Sequence, residues 1–371
     1  MNRLLPAALV LAACGSLDAA SRAAKLESPV CQAQDAKAAF GSNAICACEN
    51  VGLAGSGLIV KGAAPGNVGV NGRIGLAGLY DIGGSLIVMQ GIGGAGDLRT
   101  GGSFSTAGDV VGAGRISVGG DMMVGGTLNT AGTLEVAGTL GVQGEALLTG
   151  YNAVKRGAYV APKEPCGCGT PAVDVAARVA DAKANGTRIG DTLAVGSTKV
   201  TLTTGTYFAE SLTSAGELEI TVDGAVALAI GGSLDAAGKQ HISLTPGSTL
   251  DLYVAQGIAA AGDTFLGSGA TPGSVRIYVA GHVVAAGAQR LNASLYAPNA
   301  DLAVAGDTTV NGSLFARSIT GAGRLTVDYA APTMAAPDKC VGEEPEPTRE
   351  GGSGTPSRPA DGNGGGPIDP G

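Results

Sequence analysis

Gly132-Thr133-Leu134-Glu135-Val136-Ala137-Gly138 is one clean copy of a unit that repeats from residue 66 to residue 150. Through that stretch glycine returns at every sixth position, at Gly66, Gly72, Gly78 and Gly84, then from Gly96 to Gly150, and Gln90 alone breaks the count. Two residues after each of these glycines the side chain is apolar, as at Val68, Ile74, Tyr80, Phe104, Ile116, Met122, Leu134 and Leu140. Four residues after, it is most often Val, Leu or Ile, and otherwise Gly or Thr. A spacing of two puts the apolar pair on one face of a short strand, and glycine beside a small residue marks the bend to the next strand. A sheet that bends every six residues becomes a coil, and so short a unit can bury its apolar face only against its neighbours.

Charge supplies an independent check. Arg73, Asp81, Asp97, Arg99, Asp109, Arg115, Asp121, Glu135 and Glu145 all fall one or three residues after the glycine position, never on an apolar site. A disordered glycine-rich linker would not segregate charge from Val and Leu in this way. The expected fold class is all-β: a right-handed β-helix or β-solenoid in two segments, with one short intervening α-helix and about 18 residues per coil in the regular segment.

The chain has 371 residues, of which 64 are Gly, with no Trp and 15% charged, so its core is built from Val, Leu, Ile and Ala in thin layers. The formal net charge is −8, but residues 341–371 hold four Glu, two Asp and two Arg, leaving the body close to balance. No basic cluster is present to neutralise phosphates, which argues against nucleic acid as a partner.

Residues 1–13 combine a basic start (Arg3), a short apolar run and small residues ahead of Cys14, a pattern too short to span a bilayer. Leu11-Ala12-Ala13-Cys14 resembles the lipobox of bacterial lipoproteins, which implies cleavage before Cys14, acylation of that cysteine, and a membrane partner reached through N-terminal lipid. Gly15 rather than Asp follows it, so the expected address is the outer membrane or cell surface. Residues 14–45 read as a tether and 46–150 as the hexad solenoid. Residues 151–191 hold a Cys-x-Cys linker and a helix, 192–330 form a second β-helix, and 331–371 form an acidic Gly/Pro-rich tail that is expected to be disordered. The helix is expected over about residues 171–184, with Thr170 as N-cap and Pro171 in the first turn, acting as a spacer or a cover for an open solenoid end.

In the second segment strands such as Leu218-Glu-Ile-Thr-Val222 and Val226-Ala-Leu-Ala-Ile230 are followed closely by glycine, giving longer and less regular units. Pro165-Cys-Gly-Cys168, Leu250-Asp-Leu-Tyr-Val254, Arg276-Ile-Tyr-Val-Ala-Gly281, Leu295-Tyr-Ala-Pro-Asn-Ala300 and Val310-Asn-Gly-Ser-Leu-Phe-Ala-Arg317 resemble an uncharacterised β-helical domain. That domain occurs in predicted bacterial lipoproteins and surface proteins, particularly of myxobacteria. The resemblance implies a right-handed β-helix outside the cell and brings no catalytic residues with it. The hexad half is similar, more loosely, to bactofilins, which are polymer-forming solenoids. It departs from the left-handed hexapeptide acyltransferases, because the larger inward residue precedes the smaller one and the stretch contains no His.

Apart from Cys14, six cysteines remain: Cys31, Cys46, Cys48, Cys166, Cys168 and Cys340. An even number outside the cytosol reads as disulfides. A Cys-x-Cys ring is strained, so Cys46 and Cys48 are expected to bridge to Cys166 and Cys168, leaving Cys31 for Cys340; four thiolates on Zn²⁺ are the alternative. His241 and His282 lie in separate strand segments without a neighbouring nucleophile. Asp97, Asp109 and Asp121 recur every 12 residues and so land on different faces of an 18-residue coil, and Asp223, Asp235, Asp251, Asp263 and Asp301 read as turn or outward residues. No cofactor, metal site or catalytic set is expected. The functional expectation is a non-enzymatic surface lipoprotein with a structural, adhesive or scaffold role, meeting a cell-surface polymer or its own copies. The alternatives are a polysaccharide-active enzyme on the same scaffold or a bactofilin-like polymer-forming scaffold.

Overall fold

The structure, a computed structural model, describes residue 40 and residues 42–332, except 63–65, 152–154, 191, 194–197, 215, 239, 262, 263 and 270. It is a β-solenoid of about 13 turns, with one α-helix longer than a turn among the described residues. In the regular half Val68 pairs in parallel with Leu86, Leu86 with Phe104, Phe104 with Met122 and Met122 with Leu140. Each coil therefore takes 18 residues, as the repeated hydrogen bonds at that separation also record. Val68, Ile74, Tyr80, Phe104, Ile116, Met122, Leu134 and Leu140 are all buried, while the charged residues of the stretch keep solvent access.

The recurring glycines are required mostly by crowding rather than by unusual dihedrals. A Cβ on Gly84 would lie 2.5 Å from the carbonyl oxygen of Gly66, and one on Gly144 would lie 2.6 Å from that of Gly126. In each case the coil below passes too close for a side chain. Gln90 is tolerated because the tight corner moves one residue on, to Gly91, whose φ of +109° suits glycine.

Some polar atoms inside the stack are satisfied locally, whereas the buried hydroxyls of Thr130, Ser294, Thr308 and Ser313 have no hydrogen-bond partner among the described residues. Tyr80 is fully buried; its hydroxyl donates to the Gly75 carbonyl at 2.8 Å and accepts from the Leu53 amide at 3.0 Å. Burial pushes this phenol above its usual range, and the Leu53 amide partly opposes that. The register of the strand Val51–Gly62 slips just beyond Leu53, between Ala54 and Gly57, so Tyr80 serves an amide beside an interrupted ladder. Tyr80→Phe is expected to cost about 1–3 kcal/mol, because it orphans a buried amide, and a denaturant midpoint unchanged from the parent protein would refute this role.

Coils of the second half are longer and uneven: Val226 pairs with Leu250, Leu250 with Val275 and Leu295 with Leu314. The two halves are not separate segments in space. The last strand, Leu314–Tyr329, pairs in parallel with the first two, Asn43–Ala47 and Val51–Gly62, through Ile45↔Leu314, Val51↔Ile319 and Leu58↔Leu325. On their other side the same two strands carry Val68, Ile74 and Tyr80. The two solenoid segments, separated in sequence by the helix as expected, thus form one continuous stack whose spatial order is residues 187–329 followed by 43–156. The chain enters at the waist, winds to one tip, and crosses to the other tip. From there it winds back to meet its own first coil.

Residues 157–185 make the crossing, as a strap laid along one side of the solenoid. A Cβ on Gly141 would lie 2.9 Å from the Ala158 carbonyl oxygen, and one on Gly69 would lie 2.7 Å from Pro165 Cβ. These small outward residues are the bed on which the strap lies. The strap ends in the helix Val175–Asn185. It starts later than the sequence suggests, and its N-cap is Asp174, whose carboxylate accepts from the Ala177 amide at 3.0 Å, rather than Thr170. The preceding residues 169–173 stay outside the helix, largely as bends, and the Ala172 amide donates instead to the Tyr296 hydroxyl at 2.7 Å. Nor does the helix close an open end: it buries Val175, Val179 and Ala182 in a cluster with Phe208, Ala229 and Tyr253 from three successive coils.

Candidate functional site

Three lateral faces result, and each has its own chemistry. On the strapped face the outward residues Phe208, Ala229, Tyr253, Tyr278, Tyr296, Phe315 and Cys46 stand in register on successive coils. Tyr253 and Tyr278 stack with centroids 4.8 Å apart and planes 11° apart, and Tyr296 meets Phe315 at 5.0 Å. The strap covers this column and makes it a second apolar core outside the lumen of the coil.

Beside the column lies an ion pair. Arg276 Nε donates to Asp251 Oδ1 at 2.6 Å and Nη2 to Oδ2 at 2.8 Å, and both side chains are 1% exposed. Burial by itself works against the guanidinium charge, but the facing carboxylate outweighs it, so Arg276 is held above its ordinary value. Asp251 was expected as a turn or outward residue. It does project from the outer side of its strand, and there it is buried with the outer core.

Cys46 is joined to Cys166 and Cys48 to Cys168, each pair spanning 120 residues. The inter-motif pairing fastens the strap to the strand Asn43–Ala47 and to the bend that follows it. The Asn71 amide reinforces this by donating to Glu164 at 2.6 Å and to the Cys166 carbonyl at 2.9 Å. Cys14, Cys31 and Cys340 lie outside the described residues, as do the expected signal, most of the tether and most of the acidic tail.

The remaining candidates are scattered. His241 and His282 are both exposed, on different faces. Asp97, Asp109 and Asp121 occupy three separate columns, and each accepts a backbone amide from the coil above: Arg115 at 2.8 Å, Thr127 at 2.7 Å and Thr139 at 2.7 Å. They are corner braces, a role their position after each glycine could have signalled. Asp223 takes a hydrogen bond from Thr245 and Asp235 from Ser233. Arg317 and Ser318 hold the half-exposed Asp301 carboxyl below its usual range. Asp263 lies outside the described residues. Among the described residues no three His, Cys, Asp or Glu gather as metal ligands, and no helix is long and apolar enough to cross a membrane.

The other two faces are open. One carries alternating charge on successive coils, with Asp81, Arg99, Ser117 and Glu135 in register at one end, and Lys199 paired to Glu219 at 2.6 Å near the other. The second open face is nearly plain, with Val284, Ala303, Thr320, Gly52, Gly75, Gly93 and Val111 in register across the waist. Val111, Leu147 and Val284, which are 49%, 46% and 38% exposed, all project from this face.

Residues 167–335 match the family of a domain of unknown function, DUF7305. That match covers the helix and the coils carrying the aromatic column, but stops short of Cys46 and of the regular half that completes the stack. No curated protein and no solved structure matches the chain.

Proposed function

We propose that the protein is a lipid-anchored scaffold or adhesive module of the bacterial surface, acylated at Cys14 and working by contact rather than by turnover. The reading is supported chiefly by how the three sides of the solenoid are used. One side is consumed by a disulfide-fastened strap, and the other two run open along the rod as flat sheet. Flat ladders with short outward side chains suit contact with a repetitive polymer or a neighbouring protein, whereas small-molecule sites are concave with converging polar groups. A groove of about 340 Å³ beside the strap, between Thr170, Asp174, Val279 and Asn299, has Asp174 as its only ionisable lining residue among the described residues. That carboxylate is already engaged as the helix cap.

Disulfides at the strap fit an oxidising compartment, and an acyl anchor fits the lipobox-like start. With several acyl chains buried at about 0.8 kcal/mol per CH₂, attachment would be effectively permanent. Metabolic labelling with a fatty acid is expected to mark the parent protein and to leave Cys14→Ala unmarked. Label retained on that variant overturns the anchor. Capture of a cell-surface polymer from intact cells by the open faces tests the contact role, and turnover of a polysaccharide by the purified protein would replace it.

A further inference from the structure

On the plain face two rows have a symmetry of their own. Arg73, Gly91 and Asp109 stand in register on three successive coils, and one pleat along stand Gly75, Gly93 and Val111. The first row reads positive, neutral, negative; the second reads hollow, hollow, knob. Together they border a shallow depression of about 380 Å³. Its floor is bare backbone: a Cβ on Gly75 would find nothing closer than 4.0 Å, and one on Gly93 nothing closer than 3.9 Å. Val111 stands half exposed beside it. Neither charged group of Arg73 or Asp109 has an ion-pair partner among the described residues; Asp109 accepts only the Thr127 amide at 2.7 Å.

A half-turn about an axis lying along the strand Gly91–Gly94 exchanges the ends of both rows. We infer that this face is a self-complementary contact with a second copy of the chain. Val111 of each copy enters the hollow over Gly75 of the other, Arg73 meets Asp109 twice, and Gly93 faces its own counterpart on the dyad. Such an isologous contact closes on itself and gives a dimer rather than a filament. Complementary charge fixes the register, because any shift by one coil sets Val111 against a different residue and separates the charges. The patch is small: about five coils at about 4.8 Å by four residues at about 3.3 Å. That is well below the roughly 800 Å² per partner of stable complexes. The association is therefore weak in solution and favoured by crowding on a surface. It holds whatever the anchor or the role of the protein.

Sedimentation velocity of the full chain carrying Cys14→Ser, in a concentration series reaching the millimolar range, is expected to show a monomer–dimer equilibrium. Arg73→Asp faces Asp109 of the other copy with like charge and should weaken the dimer on the order of a hundredfold. Adding Asp109→Arg to it should restore the equilibrium, and Gly93→Cys should form an intermolecular disulfide in the parent background. Circular dichroism checks that each variant keeps its fold. A parent chain that stays monomeric throughout overturns the contact. So does a dimer indifferent to Arg73→Asp, or one not rescued by the exchanged pair.

Discussion

Asp251→Ala is expected to lower folding stability by about 3–5 kcal/mol, the largest loss from any single substitution considered for this chain. The value follows from what is left behind. Arg276 is 1% exposed at its side chain, with Tyr253 and Tyr278 stacked beside the pair, and it loses a carboxylate that accepted two of its hydrogen bonds. A guanidinium cannot shed its proton to escape, so the charge stays buried and uncompensated. Replacing both partners, Asp251→Leu with Arg276→Met, should recover most of the loss, since a well-packed apolar pair of similar volume is often neutral or better. Thermal or denaturant unfolding measures both. A cost below about 1 kcal/mol for Asp251→Ala means that water reaches the pair.

Removing both strap disulfides is expected to cost on the order of 7 kcal/mol, and removing either alone only about 2 kcal/mol. The asymmetry comes from loop closure. Each bridge spans 120 residues, and closing a loop of that size restrains the unfolded chain by about 5 kcal/mol in the chain-entropy view. With one bridge formed, the other closes only a small ring between neighbouring Cys-x-Cys motifs, worth about 2 kcal/mol. Cys46→Ala with Cys166→Ala, Cys48→Ala with Cys168→Ala, and all four together, unfolded in oxidising buffer, give the three values. Equal and additive losses would show that the bridges act through local packing instead.

The regular half was readable because its repeat is enforced in two ways at once. Inward sites need apolar bulk, as at Leu86, Phe104 and Met122, and corner sites need a residue without a Cβ, as at Gly84 and Gly144. Joining the two halves left no such trace. Ile45 pairs with Leu314 through the same parallel backbone ladder that joins it to Val68, and any two coils of matching width can stack, so the local pattern does not say which coil meets which. The helix was mislocated at its start for a similar reason. Thr170-Pro171 is a sound opening, and a tertiary bond from Ala172 to Tyr296 overrides it. Burial of Asp251 did leave a signal. Leu250-Asp-Leu-Tyr-Val254 laid over Val275-Arg-Ile-Tyr-Val279 sets acid on base and tyrosine on tyrosine, the arrangement the ladder then makes. That overlay marks the outer side of these strands as an interior.

Because the coils both begin and end at the waist, an anchor on either flank of them would hold the rod crosswise. About 13 coils at about 4.8 Å make a bar some 60 Å long. The strand Asn43–Ala47, where the coils begin, and the strand Leu314–Tyr329, where they finish, lie side by side near its midpoint. An attachment made ahead of Asn43 or beyond Tyr329 would therefore hold a T-piece by its stem. The edge strands Lys155–Arg156 and Thr187–Arg188 then form the two tips, at similar distances on either side of that midpoint.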